Sequence, residues 1–453
     1  MTRALQLLAQ EPGIVRNVFS CSASLPTACG TAFGLTIDGR AQPRFGEGSR
    51  QALDEPGAEN VSSRSRPARL MSIEWAPGGG SRPRSGARVR RRARLSRNRE
   101  QSHVVALGGG GAVQALSRPE KHGHTAPRME LSVRIERWPI AGAFAISRGR
   151  KTEAVVVVAE LDDGTHRGRG ESVPYARYGE TPDATVAKIE ALRAALRQGL
   201  DRQALQAVLG AGAARNALDC AYWDVNARSA RRRAHELAGV PIPKPLTTAF
   251  TISLASPSEM AAAAEASAWR PLLKIKLGGS GDRERIAAVR RFAPRAELIV
   301  DANEGWNADN VAENLAACAD AGVTLIEQPL PEGADEVLAD GRRPIPVCAD
   351  ESVHDRASLD RLVGKYDVVN IKLDKTGGLT EALALAAEAE RRGFTVMVGC
   401  MVATSLAMAP ATLVAQRARF VDLDGPLLLA KDRAEGLRYE GSLVFPSSAA
   451  LWG

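Results

Sequence analysis

The eight residues "LLKIKLGG" (272–279) place two lysines, Lys274 and Lys276, inside an apolar run. In a β-strand, side chains at i and i+2 share a face. Lys274 and Lys276 would point one way, and Leu273, Ile275 and Leu277 the other. Two like charges side by side on a strand repel, so the pattern asks what holds them there.

Runs of this kind recur along the C-terminal half: "TTAFTISLA", "LLKIKLG", "AELIVDAN", "TLIEQPL", "IPVCADES", "VVNIKLDK", "TVMVGCM" and "RFVDLDGP". From the second run on, their C-terminal ends fall at Lys276, Asp301, Glu327, Asp350, Lys372, Val398 and Asp422, spaced 25, 26, 23, 22, 26 and 24 residues apart. Each run is followed by an Ala-rich amphipathic stretch, read as a helix. One strand, one helix and two short loops fill such an interval, and eight units predict a (β/α)8, TIM-like barrel. A doubly wound open sheet competes, but no G-x-G-x-x-G follows an early strand.

The composition divides the chain. Residues 1–128 carry 20 Lys+Arg against 9 Asp+Glu, a net of +11; the remainder carries 40 against 43, a net of −3. The overall charge of +8 therefore belongs to the N-terminal segment, and the rest has no case for binding a polyanion. Segments such as "GGGSRPRSGARVRRRARLSRNRE" keep no hydrophobic period, so residues 1–128 are expected to be a disordered basic extension. "MELSVRIERWPI" opens at Met129 with strand alternation, and the working protein is expected to begin there.

Residues 129–245 read as α+β. "AVVVVAELDDGTHRGRGES" predicts two strands around an Asp-Gly turn. "DATVAKIEALRAALRQGL" and "AARNALDCAYWDVNARSARRRAHELAG" predict helices, the second closed by Gly239. The barrel is assigned to 246–425, and 426–453 to a C-terminal segment. The six cysteines form no CxxC pair, which predicts buried reduced thiols and a cytoplasmic setting. There is no run of 18 apolar residues, and "MTRALQLLAQEPG" makes a poor signal peptide, so no membrane association is expected.

Active sites of such barrels lie at the C-terminal strand ends. Here those ends hold Lys274 and Lys276, Asp301, Glu327, Asp350, Lys372, then Asp422 and Asp424. One Asp after a strand is ordinarily a cap or turn residue, and one Lys is ordinarily solvated. Three successive carboxylates flanked by lysines form a pattern that neither reading covers. An all-oxygen set suits Mg²⁺. Zinc is a poorer match, because the barrel has only His354 and there is no HExxH. A lysine is a weak base near neutral pH unless burial or a neighbouring cation favours its neutral form. Lys274 beside Lys276 supplies such a neighbour, so the pair predicts a general base.

These residues resemble a known family. K-x-K at 274–276, "VDANEGW" (300–306), "IEQPL" (326–330), "CADES" (348–352) and "NIKLDKTGG" (370–378) are similar to the muconate-lactonizing subgroup of the enolase superfamily. The resemblance spans about 129–445 and implies that 129–245 is a capping domain to which 426–453 returns. It implies Mg²⁺ on Asp301, Glu327 and Asp350, with Lys276 and Lys372 as opposed bases. Lys274 would meet the substrate carboxylate, and proton transfer would pass through an enediolate.

"FVDLDGP" (420–426) further resembles the D-x-D of dipeptide epimerases, implying that Asp422 and Asp424 receive a substrate ammonium. "FAISRGRKTEA" (144–154) resembles the L-Ala-D/L-Glu epimerases, in which a capping-loop arginine meets the glutamate carboxylate. Arg148 is the match, with Arg150 and Lys151 as alternatives. The implied partner is a small dipeptide from cell-wall peptide recycling, with no nucleic acid, and the family's symmetric assemblies admit a homo-oligomer. The competing readings are a cycloisomerase, an o-succinylbenzoate synthase, an N-acylamino acid racemase, or non-enzymatic binding through the basic arm.

Overall fold

The computed structural model describes residues 128–339 and 343–453. The expected basic extension lies, save for Arg128, outside the described residues. Three strands, β1 (Glu130–Ile146), β2 (Gly149–Asp162) and β3 (Arg167–Ser172), form an antiparallel sheet. The turn between β2 and β3 falls at the expected Asp-Gly. Four helices follow: α1 (Pro182–Glu190), α2 (Arg193–Arg197), α3 (Arg202–Val208) and α4 (Ala213–Ala230).

Two expected helices are broken. The first splits at Ala191–Leu192 into α1 and α2. The second stops at Ala230, Arg231 turns left-handed (φ 52°), and a short α5 (Ala234–Leu237) resumes before Gly239. The reason is tertiary: Arg233 leaves the helix to donate to the carbonyls of Gly453 and Ser447, anchoring the C-terminus.

After the two-residue β4 (Leu246–Thr247), the barrel strands are β5 (Phe250–Ile252), β6 (Leu272–Lys276), β7 (Glu297–Asp301), β8 (Val323–Glu327), β9 (Val347–Ala349), β10 (Val368–Ile371), β11 (Thr395–Gly399) and β12 (Phe420–Asp422). They pair in parallel in strict chain order. The Ala249 amide donates to the Val421 carbonyl at 2.8 Å, bringing the ends of the sheet together as a nearly closed barrel.

Five of the seven connections between barrel strands carry helices: α6 (Pro257–Ala266), α7 (Asp282–Phe292), α8 (Val311–Asp320), α9 (Leu373–Thr376) with α10 (Leu379–Arg391), and α11 (Ser405–Ala415). Among the described residues the other two carry 3₁₀ turns, Glu336–Ala339 and Arg356–Arg361, as does the segment after the last strand, Gly425–Leu428. The expectation of a helix after every strand fails there. In the second, Asp355 caps Ser358 and Gly364 turns at φ 82°, closing the segment before an α-helix can extend.

Alternation along the strands explains the interior. Ala249, Leu272, Ile299, Leu325, Cys348, Val368, Met397 and Phe420, one at each strand, pack into a single apolar ring. Two residues further on come Thr251, Lys274, Asp301, Glu327, Asp350, Asn370, Gly399 and Asp422, on the same face. The residues between, such as Leu273, Ile275, Val300, Ile326 and Val369, pack outward in the main core. Both faces are buried, as in parallel sheets generally.

Helix α4 lies very close to β3. A Cβ on Gly170 would stand 2.1 Å from the Ala217 carbonyl oxygen, and one on Gly168 would stand 2.2 Å from the Val225 nitrogen. Gly170→Ala is therefore expected to destabilise the protein by about 1–3 kcal/mol, the range for overpacking. The check is the denaturant midpoint at unchanged slope; an unshifted midpoint would show that the helix can stand off.

Candidate active site

Six of the nine expected residues, Arg148, Lys276, Asp350, Lys372, Asp422 and Asp424, line one cavity of about 690 Å³ at the C-terminal mouth of the barrel. Lys274, Asp301 and Glu327 do not line it but are ion-paired to residues that do.

The Lys274 ammonium, wholly buried, lies 2.7 Å from Glu327 Oε2, 2.8 Å from Asp422 Oδ2 and 3.2 Å from Asp301 Oδ2. Lys276 Nζ is 2.6 Å from Asp301 Oδ2, and Lys372 Nζ is 2.6 Å from Asp350 Oδ2. Burial works against the charge on Lys274 and Lys372, yet the surrounding carboxylates hold both well above the usual lysine range. Burial likewise opposes ionisation of Asp301 and Asp350, but the lysines hold both below the usual range. Glu327 goes the other way, pushed up to about 8 by burial and by the charge of Asp301.

Asp301, Glu327 and Asp350 each offer an oxygen, and these lie within 4.8 Å of one another. Oxygens bonded to one divalent ion at roughly 2.0–2.6 Å stand no more than about twice that apart, so the set fits. Glu327 Oε2 is buried and meets the Lys274 ammonium at 2.7 Å without hydrogen-bond alignment, and a carboxylate oxygen with two lone pairs can still offer one to an ion. The Asn370 amide fixes the other Glu327 oxygen at 2.8 Å.

On the far side, Asp424 Oδ2 accepts the Thr251 amide at 2.7 Å, and its carboxyl is pushed up to about 7 by burial and Asp422. Asp422 Oδ1 is buried without a partner. Arg148 reaches in from the turn between β1 and β2. It donates to the Asn303 carbonyl at 2.7 Å, Glu351 at 2.5 Å, and Tyr175 and Glu304 at 3.1 Å each. Arg150 and Lys151 line the same cavity, with Lys151 Nζ 5.4 Å from the centre of the Tyr175 ring.

Sequence reasoning passed over several supporting residues. Gln328 Oε1 accepts the amides of Asp350 (2.8 Å) and Ser352 (3.1 Å). Asn303, Glu304 and Gln328 hold left-handed backbone at φ 46°, 63° and 34°, a strained conformation found where a site dictates direction. All three lie inside motifs quoted above. Asn370 was readable by strand period, two residues before Lys372. Glu351 and Lys375 gave no such signal.

Asp374 ties the segment after Lys372 to the cap: its Oδ1 accepts the Val173 amide and the Asn216 side chain, each at 2.8 Å. Burial pushes its carboxyl up to about 7. The folded state thus holds a proton that the unfolded state releases near 4, so this group's contribution to stability falls as pH rises through that window. Asp374→Asn keeps an acceptor without the charge. Its thermal midpoint relative to the parent is expected to rise between about pH 5 and about pH 8; a pH-independent difference would contradict this.

Chemically, this mouth can hold a cation on three carboxylates and move protons at a carbon lying between lysines, the layout of an enolase-type enzyme. Comparison with known proteins agrees. Residues 128–239 match the mandelate racemase/muconate lactonizing enzyme N-terminal domain, and 259–441 match the enolase C-terminal domain-like family. The L-Ala-D/L-Glu epimerase of Escherichia coli (strain K12) is 47% identical over 306 residues, 67% of this chain and 95% of that protein. An N-acetyl-D-glutamate racemase of Pseudoalteromonas sp is 46% identical over 304 residues, 66% of this chain and 95% of that one.

Among solved structures, an enolase family member from Agrobacterium tumefaciens with homology to dipeptide epimerases, with bound sodium and L-Ala-L-Glu, is 55% identical with a TM-score of 0.71. The match covers 72% of this chain and all of that one. A dipeptide epimerase from Enterococcus faecalis V583, complexed with Mg and L-Leu-L-Tyr, is 27% identical with a TM-score of 0.66, covering 71% and 98%. The chain belongs to the mandelate racemase/muconate lactonizing enzyme family of the enolase superfamily, and it is an isomerase. Among the described residues, no helix is long and apolar enough to cross a membrane.

Proposed function

We propose that this protein epimerises dipeptides of the L-Ala-D/L-Glu type by 1,1-proton transfer at the α-carbon, with Mg²⁺ on Asp301, Glu327 and Asp350. The observation that carries the reading is the placing of Lys276 and Lys372 in one cavity, each bonded to a different carboxylate of the triad. One lysine removes the α-proton from one face and the other returns a proton to the opposite face. Lys274 does not line the cavity; in this reading it keeps its charge among Glu327, Asp422 and Asp301 and would reach the substrate carboxylate only once an ion takes over Asp301 and Glu327. Asp422 and Asp424 take the substrate ammonium, and Arg148 takes the glutamate side chain. A divalent ion on the triad would offset the charge that grows on the substrate carboxylate and weaken the pull of Asp301 and Asp350 on the two lysines. The relatives named L-Ala-D/L-Glu epimerase and the neighbour holding L-Ala-L-Glu support the substrate class.

One observation favours a second reading, racemisation of an N-acyl glutamate. The Asp424 carboxyl, pushed up to about 7, is partly protonated near neutral pH and could donate to an acyl carbonyl. A relative of similar identity is named N-acetyl-D-glutamate racemase.

The experiment supplies the full chain with Mg²⁺ in D₂O and follows the Glu α-proton of L-Ala-L-Glu, L-Ala-D-Glu and N-acetyl-glutamate by NMR. Loss of that signal with appearance of the other dipeptide diastereomer is the expected result; exchange on N-acetyl-glutamate alone would favour the second reading, and no exchange would sink both. Lys372→Ala is expected to cut epimerisation by roughly 10²–10⁴-fold while exchange persists from one diastereomer only. Asp422→Ala is expected to lose dipeptide turnover, and intact turnover would remove the ammonium role.

A further inference from the structure

Lys375 is the second lysine on the segment that carries Lys372, and the proton transfer above does not use it. It sits in α9 (Leu373–Thr376), 2% exposed. Its Nζ donates to Asp350 Oδ1 at 2.5 Å, to the Asp350 carbonyl, and to the Asn370 carbonyl at 3.0 Å. Three acceptors use all three N–H bonds of an ammonium. Burying a cation this completely is costly, and an apolar side chain of similar volume would commonly serve the fold as well.

Its position explains it. Asp350 is gripped at both carboxylate oxygens, by Lys372 on Oδ2 and by Lys375 on Oδ1. Lys372 lines the cavity and Lys375 does not, so Lys375 holds Asp350 from behind. The Asp350 amide is itself fixed on Gln328 Oε1 at 2.8 Å. With the backbone held at its amide and carbonyl and Oδ1 held by Lys375, turning the second oxygen toward an ion on the triad means breaking the Lys375 bond.

That restriction matters to ion choice. Mg²⁺ takes six ligands at about 2.0–2.1 Å in tight octahedral geometry, whereas Ca²⁺ takes 6–8 at about 2.3–2.6 Å and often uses carboxylates through both oxygens. We propose that Lys375 is a positioning residue that limits Asp350 to coordination through one oxygen and thereby biases the carboxylate triad toward Mg²⁺ over Ca²⁺. The assignment rests on reading Asp301, Glu327 and Asp350 as a divalent-cation site. It concerns ion selection and does not depend on which substrate is turned over.

The test is calorimetric titration of Mg²⁺ and of Ca²⁺ into the full chain and into Lys375→Met, without substrate. The ratio of Ca²⁺ to Mg²⁺ affinity is expected to rise about tenfold or more in the variant, the low end of what a partner behind a metal ligand commonly controls. An unchanged ratio overturns the proposal. A crystal structure of the unaltered chain with Mg²⁺ gives a reading that does not depend on the variant folding. Asp350 is expected to meet the ion through Oδ2 alone, with Oδ1 still on Lys375, and two-oxygen coordination overturns the proposal. If the unaltered chain binds neither ion, the cation-site reading itself fails, and the proposal goes with it.

Discussion

A carboxylate withdrawn from water persists only where a cation or several donors meet it, and the upper half of this barrel is built around that condition. Lys274 satisfies it at the centre, with one ammonium shared among Glu327, Asp422 and Asp301. Lys276 and Lys372 repeat it at the cavity wall, and Lys375 repeats it behind Asp350. The two like charges of the opening motif are therefore not left to repel one another, because each stands against carboxylates from neighbouring strands. The level below is an apolar ring, so the charged groups have no water beneath them and depend on each other for their positions.

The same condition joins the cap to the barrel. Glu171 at the end of β3 accepts the Thr404 amide at 2.8 Å and pairs with Arg433, and Asp219 on α4 accepts the Thr380 amide at 2.9 Å. The cap thus supplies acceptors to amides that have no intrahelical partner at the starts of two barrel helices, α10 (Leu379–Arg391) and α11 (Ser405–Ala415), where such partners are normally local. Arg215 donates to the carbonyls of Thr376 and Gly377, and Gly378 admits Asp219 at a distance that a Cβ would block. The C-terminal segment adds Ala430 to Pro139 and Gly453 to Asp224. Loops from both parts are consequently held in register over one cavity.

Much of the barrel was readable before any coordinates. Period-2 runs at near-constant intervals identified all eight strands, because strands buried on both faces must be apolar wherever they are not functional. The charged positions at their ends were legible for the same reason: an ionisable residue inside such a run has no cheap structural explanation. The connections were less legible. Amphipathic stretches after β8, β9 and β12 became 3₁₀ turns, since helix formation over short segments is decided by caps and glycines as much as by period. The long helix expected through Arg231 failed because Arg233 finds better acceptors at the far end of the chain.

By itself the sequence determined the strand count, the barrel and the identity of the groups at its mouth, because side-chain alternation and spacing are local properties of the chain. Only the tertiary structure decided how those groups pair. That Lys274 answers three carboxylates, that Arg148 is bracketed by Glu351 and Glu304, and that Lys375 grips Asp350 from behind all depend on strand stagger and loop direction. Hydrogen-bond geometry is set over tenths of an ångström between residues far apart in the chain, and a linear pattern carries no record of those distances.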